Sequence, residues 1–172
     1  MQDAKQQSAQ NSQQQVSSKP IKTPCIGVCS TALGDSICRG CKRINHEVVQ
    51  WNGYTNQEKQ NIMDRLAGFM TQVVKLHITV SNPERLASCY QELKIKREPC
   101  VNAEAQAFYL LQALANNSLH TPELETLGLT PKPEWSNLSR DELFQLIDDA
   151  YYQLCLAYYD ANYLRAYRQS IS

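Results

Sequence analysis

The chain has 172 residues, 17 basic against 17 acidic side chains for a formal net charge of zero, and seven cysteines. That balance excludes broad electrostatic attachment to nucleic acid or to an anionic lipid surface. The length holds one ordinary domain, or a small domain beside a metal-stapled module too small to own a large core, and the second arrangement fits this sequence better.

Residues 1–22 are mostly Gln, Ser, Asn and Lys, with Met1, Val16 and Ile21 as the large apolar side chains. Such a segment cannot offset the entropy of ordering and is expected to be a disordered tail. It lacks the apolar core of about 7–15 residues that marks a signal peptide. Nowhere does an apolar run approach the roughly 18 residues of a membrane span. The expectation is a cytoplasmic chain without membrane attachment, in a compartment where thiols stay reduced.

From Pro24 to Trp51 the chain reads as a metal site. Cys25 and Cys29 enclose three residues, Cys38 and Cys41 enclose two, and eight residues separate the pairs. A short turn between two cysteines lets both sulfurs converge on one point, and in a reducing compartment paired cysteines point to metal rather than to disulfides. Gly27 and Gly40 sit inside the two turns, and Gly34-Asp35 supplies a reversal that can return the second pair onto the first. One four-thiolate site is expected, with Cys25, Cys29, Cys38 and Cys41 as its ligands. Lys19, Lys22, Arg39, Lys42 and Arg43 against Asp35 leave a local excess of positive charge. That excess suits a doubly negative four-thiolate centre holding zinc or a common oxidised iron–sulfur cluster, and spacing does not separate the two. Cys89, Cys100 and Cys155 lie outside the pattern and read as small buried hydrophobes.

The same residues resemble a known family. Pro24-Cys-Ile-Gly-Val-Cys29, Cys38-Arg-Gly-Cys41, Arg43, Glu47, Trp51 and the Glu-bearing helix start that follows are similar to the DUF1289 family of small bacterial proteins, over about residues 23–66. Ile44 and His46 depart from the family's pattern and touch no presumed ligand. The resemblance implies an iron–sulfur protein and implies no activity; zinc stays open beside the cluster.

Helices dominate the rest. Asn45 is placed to cap a short helix carrying Val48 and Trp51 on one face, with Trp51 covering the metal loop. Thr55-Asn-Gln-Glu58 is a capping box for a helix running to about Val80, with Ile62, Leu66, Phe69, Met70, Val73, Val74 and Leu76 inward. Ser81-Asn-Pro-Glu caps a third helix, with Pro83 in its first turn, to about Arg97, stopped by Pro99, with Leu86, Cys89, Tyr90 and Leu93 inward. A fourth spans about Asn102 to Asn116 with Ala105, Phe108, Leu111 and Leu114 or Ala115 on one side. A short helical turn after Thr121 ends at Gly128, and a proline-locked connection leads to Ser139-Arg-Asp-Glu142, the capping box of the last helix, to about Gln169. There Leu143, Ile147, Ala150, Leu154, Ala157 or Tyr158, Ala161 and Leu164 form an apolar line beside a stripe of Tyr152, Tyr159, Tyr163 and Tyr167. The strand signal is weak throughout. The fold class is mainly α, with a small four-cysteine metal-bound loop module (residues 23–66, its helix running on to about 80) ahead of a helical domain over 81–172.

Catalysis has little support. Cys38-Arg-Gly-Cys41 has the spacing of a thiol redox motif, but a second cysteine pair explains it better. His46 and Glu47, adjacent on a helix, point apart and read as surface, and His77 and His120 have no constellation around them. The sequence therefore favours a non-enzymatic metal-binding module for interaction or regulation with a protein partner. An iron–sulfur electron-transfer or redox-sensing protein is the second reading. A zinc-knuckle nucleic-acid binder using Lys22, Arg39, Lys42, Arg43 and Trp51 is the third, disfavoured by the neutral remainder of the chain.

Overall fold

The computed structural model describes residues 20–27, 29–95, 102–115 and 122–165. The chain is mainly α-helical, with an irregular cysteine-rich segment in front. Its central element is α2 (Asn56–His77), opened by the expected capping box: Thr55 Oγ1 accepts from the Glu58 N–H at 3.3 Å, and the Glu58 carboxylate accepts from the Thr55 N–H at 2.8 Å. Ile62, Leu66, Met70, Val73 and Val74 are buried along it as the three-and-four spacing demands. Leu76, expected inward, is instead 63% exposed. The buried line leaves through His77, whose Nδ1 lies 2.8 Å from the Val73 carbonyl and whose ring stacks on Trp135, so Leu76 points away.

α2 ends at His77 because the chain passes directly into β1 (Ile78–Val80), which pairs antiparallel with β2 (Leu129–Pro131) in the register Ile78 to Pro131, Thr79 to Thr130 and Val80 to Leu129. This two-stranded ribbon replaces the helical end and the plain extended connection expected from the sequence. Three-residue strands brought together from opposite halves of the chain leave too little alternation to read locally. Gly128, at φ +76°, turns the chain into β2 and brings its carbonyl to the N–H groups of Ser81 and Asn82.

α3 (Pro83–Glu92) is capped by Asn82, whose side chain accepts from the Arg85 N–H, and buries Leu86 and Cys89. It is shorter than expected: Leu93 caps it and Lys94 takes a left-handed φ of 48°, while Pro99 and Cys100 lie outside the described residues. α4 (Ala103–Ala115) buries Ala107 and Leu110 as well as Ala105, Phe108, Leu111 and Leu114, a wider face than the single stripe expected, because α2, α3 and α5 all pack on it. The turn Leu124–Leu127 before Gly128 is a 3₁₀ helix.

α5 (Arg140–Tyr159) starts with the second capping box, Ser139 with Glu142, and runs on as a π turn over Asp160–Leu164. Tyr167 and the expected end near Gln169 lie outside the described residues, as does His120. The buried line is Leu143, Ile147, Tyr151 and Cys155, not the line through Leu154, Ala157 and Ala161, of which Ala157 and Ala161 are exposed. Tyr151 takes the core position because its hydroxyl has a buried acceptor, the Leu66 carbonyl at 3.0 Å. One continuous core runs from Ile37, Ile44 and Trp51 at the front through α2 and α4 to Cys155. Residues 1–19 of the expected tail lie outside the described residues; Ile21, just inside its expected end, is half-buried against this core. No helix among the described residues is long and apolar enough to cross a membrane.

Candidate metal centre

The second cysteine pair sits in a tight hairpin. Ile37 and Ile44 form an antiparallel bridge, the Cys38 N–H donates to the Arg43 carbonyl at 2.8 Å, and the Lys42 N–H donates to the Cys38 carbonyl at 2.8 Å. Closing so small a loop forces Lys42 into a left-handed φ of 61°. Cys38 and Cys41 are both buried. Burial pushes the Cys38 thiol up, but N–H donors from the backbones of Cys41, Ser30 and Gly40, together with the Cys41 thiol, outweigh it and hold Cys38 below the ordinary thiol value. Cys41 stays above it, because the effect of burial is only partly offset by Arg43.

The first pair is looser. Cys25 is exposed and its sulfur accepts from the Gly27 N–H at 3.4 Å, with Gly27 at φ +97°. Cys29 is half-buried, its sulfur 3.0 Å from Thr31 Oγ1, and it begins a 3₁₀ turn, Ser30–Leu33, ended by Gly34 in the left-handed conformation. That turn lies against the second pair: the Ser30 hydroxyl accepts from the Arg39 N–H at 2.9 Å, and the Ser30 N–H faces the Cys38 sulfur. Cys29 and Cys38 thus occupy neighbouring turns, with Cys25 at the outer edge. Among the described residues no three Cys, His, Asp or Glu side chains converge as an ion cage. In donor chemistry the segment fits a thiolate-held metal, since two sulfurs already accept from N–H groups and a buried guanidinium abuts a third contact, the Cys41 sulfur.

The basic flank is spent inside the protein. Lys42, 2% exposed, carries its ammonium to both oxygens of Asp148 on α5, at 2.7 and 2.8 Å, and to the Arg39 carbonyl. Arg43, also 2% exposed, lies over the Trp51 ring at 4.7 Å and donates from Nε to Cys41 Sγ at 3.3 Å; its Nη1 is buried without a hydrogen-bond partner among the described residues. Arg39 pairs with Asp35 and covers Tyr152. Of the five groups a zinc knuckle would offer to nucleic acid, Lys42, Arg43 and Trp51 are buried.

Trp51 is buried beside the hairpin as expected, although it belongs to a 3₁₀ turn, Trp51–Gly53, after α1 (Asn45–Val49). Asn45 is not the cap of α1: Ile44 holds that position, and the Glu47 carboxylate accepts the Ile44 N–H at 3.0 Å. Glu47, expected on the surface, is 3% exposed, because Arg65 of α2 neutralises it through two contacts of 2.7 and 2.8 Å. Arg65 is the residue the sequence reading missed. Its signal was its place beside Ile62 and Leu66, on the flank of the buried stripe, where a lone Arg calls for an acid partner. It also lies over the Tyr158 ring at 4.9 Å. His46, Glu47, Arg65, Tyr158 and Tyr163 line an open cleft of about 290 Å³, whose carboxylate and guanidinium are already paired with each other. Cys89 and Cys155 are buried as expected, with burial pushing the Cys155 thiol up to about 12.

Residues 23–70 match the model of a family described as a protein of unknown function (DUF1289). The uncharacterized protein YdhL of Escherichia coli K12, and the protein of that name in Shigella flexneri, are each 36% identical over 44 residues. Those residues are 26% of this chain and 54% of the relative, so the chain spans about half the length of the curated relatives it matches. No solved structure matches the chain. The resemblance carried by the two cysteine pairs, Arg43, Glu47 and Trp51 therefore holds for the front of the molecule: residues 23–70 are similar to the DUF1289 family, whose own description leaves its function open.

Proposed function

We propose that Cys25, Cys29, Cys38 and Cys41 hold one metal centre, an iron–sulfur cluster or a zinc ion, in a non-enzymatic, cytoplasmic interaction or regulatory module. The observation that carries this is the Cys38 sulfur, buried yet surrounded by the N–H groups of Ser30, Gly40 and Cys41. Such donors stabilise the thiolate, the form that ligates metal, and the Ser30 donor comes from the turn that follows Cys29. When bound, zinc would supply folding energy to a segment with few apolar residues of its own, and a cluster would supply one-electron chemistry. The chain's part is to hold the sulfurs in two turns, to exclude water with Ile37, Ile44 and Trp51, and to balance the thiolate charge.

The electron-transfer or redox-sensing reading draws on a separate observation: Cys25 and Ile26 are exposed while Cys38 and Cys41 are buried, so one ligand edge is open to solvent, where an electron partner would reach it. Anaerobic purification, with an optical spectrum over about 300–600 nm and analysis for iron, zinc and acid-labile sulfide on one sample, tests both readings. Brown protein with iron and sulfide supports the redox reading. Colourless protein with one zinc supports the structural module, and protein free of all three overturns the proposal.

A further inference from the structure

Arg43 holds a costly position. A guanidinium that is 2% exposed has left water, and its compensation here consists of the Trp51 ring at 4.7 Å and a single bond from Nε to Cys41 Sγ at 3.3 Å. Nη1 is the one buried side-chain nitrogen or oxygen among the described residues without a hydrogen-bond partner. Lys42, its neighbour and equally buried, shows the contrast, because it turns the other way and meets a carboxylate, Asp148. No carboxylate is paired with Arg43 among the described residues; the group it meets is a cysteine sulfur. A neutral thiol is a weak acceptor for a buried cation, whereas a thiolate is a full counter-charge.

We propose that Arg43 is a positioning residue for the metal centre, a buried cation that balances the negative charge of the thiolates and holds the Cys41 sulfur through Nε. This rests on the metal reading above and deepens it. The fold buries the cation for the sake of the loaded site: thiolates bearing net negative charge stabilise Arg43, and Arg43 in turn strengthens their hold on the metal. Trp51 keeps the guanidinium plane in place and walls it from water. The two buried cations of the hairpin thus divide the work, with Lys42 fastening it to α5 and Arg43 serving the sulfurs.

The test compares the full-length parent with Arg43→Gln and Arg43→Lys, using Zn²⁺ alone as the probe in competition with a chromophoric chelator, and thermal unfolding with and without Zn²⁺. Parent protein that is purified free of iron, sulfide and zinc and takes up no Zn²⁺ overturns the metal reading itself, before any variant is compared. Given uptake, Arg43→Gln is expected to weaken affinity by about 10–100-fold, and Arg43→Lys, which keeps the charge, by far less. The midpoint of Arg43→Gln is expected to fall with Zn²⁺ and to stay level or rise without it, because the variant removes an under-compensated buried charge. A merely structural arginine would lower both midpoints equally, and that result, or unchanged Zn²⁺ affinity in Arg43→Gln, overturns the inference. Should Arg43→Gln fail to fold, Arg43→Lys decides alone: affinity near the parent's supports charge compensation, and affinity lost despite the retained charge overturns it.

Discussion

Lys42 Nζ contacts both carboxylate oxygens of Asp148, at 2.7 and 2.8 Å, and so ties the turn after the second cysteine pair to the middle of the last helix. The ammonium is almost fully buried and Asp148 is 24% exposed, which makes this a fastening of the cysteine-rich front to the helices behind it.

Removing one partner leaves the other charge uncompensated. Asp148→Ala is expected to lower stability by about 3 kcal/mol, at the lower end for a buried pair because Asp148 keeps some water. Lys42→Met with Asp148→Leu should recover most of that loss. Urea unfolding of the single and double variants checks both, and an Asp148→Ala protein as stable as the parent would contradict the fastening.

Two glycines should respond with opposite sign. A Cβ on Gly128 would lie 2.4 Å from the Asn82 carbonyl oxygen, at a φ of +76°, so Gly128→Ala is expected to lose about 2–3 kcal/mol. Gly68, mid-helix in α2 with nothing near its missing Cβ, should gain about 1 kcal/mol on change to Ala. Thermal midpoints of the two variants on either side of the parent's would confirm the pair.

The two capping boxes give a pH signature. Hydrogen bonds from Thr55, backbone and then side chain, hold the Glu58 carboxyl below its ordinary value, and bonds from Ser139, side chain and then backbone, do the same for Glu142. A carboxylate depressed on folding contributes stability that is present above its unfolded pKa of about 4.3 and is lost as pH falls through the folded value. The gap in urea midpoint between the parent and Glu58→Gln or Glu142→Gln should therefore be widest near neutrality and close toward about pH 3. Thr55→Ala and Ser139→Ala, which remove the caps themselves, should each lose about 1 kcal/mol at pH 7.

What could be read in advance was local. Thr55, the Ser81-Asn82 stretch, Ser139 and Gly128 act within a few residues of themselves, so their caps and turn were legible. The ribbon of Ile78–Val80 with Leu129–Pro131 was not, because each strand is three residues long and its partner lies far along the chain. Nor was the burial of Lys42, Arg43 and Glu47. A charge has no helical or strand period, and its partner, be it Asp148, Trp51 or Arg65, is chosen by packing. Tyr151 was absent from the expected buried line for a related reason: its place in the core depends on the Leu66 carbonyl, which no pattern within α5 reveals.

The most direct measurement is residue-resolved alkylation of the protein as purified under anaerobic, reducing conditions, read by mass spectrometry before and after the metal is stripped. Cys25 is exposed and as a free thiol would react at once, while Cys38 and Cys41 are buried. If the four cysteines share one metal centre, Cys25, Cys29, Cys38 and Cys41 stay protected together and become reactive together on stripping. Cys25 alkylated at the rate of a free thiol, with the metal content unchanged, would contradict the account.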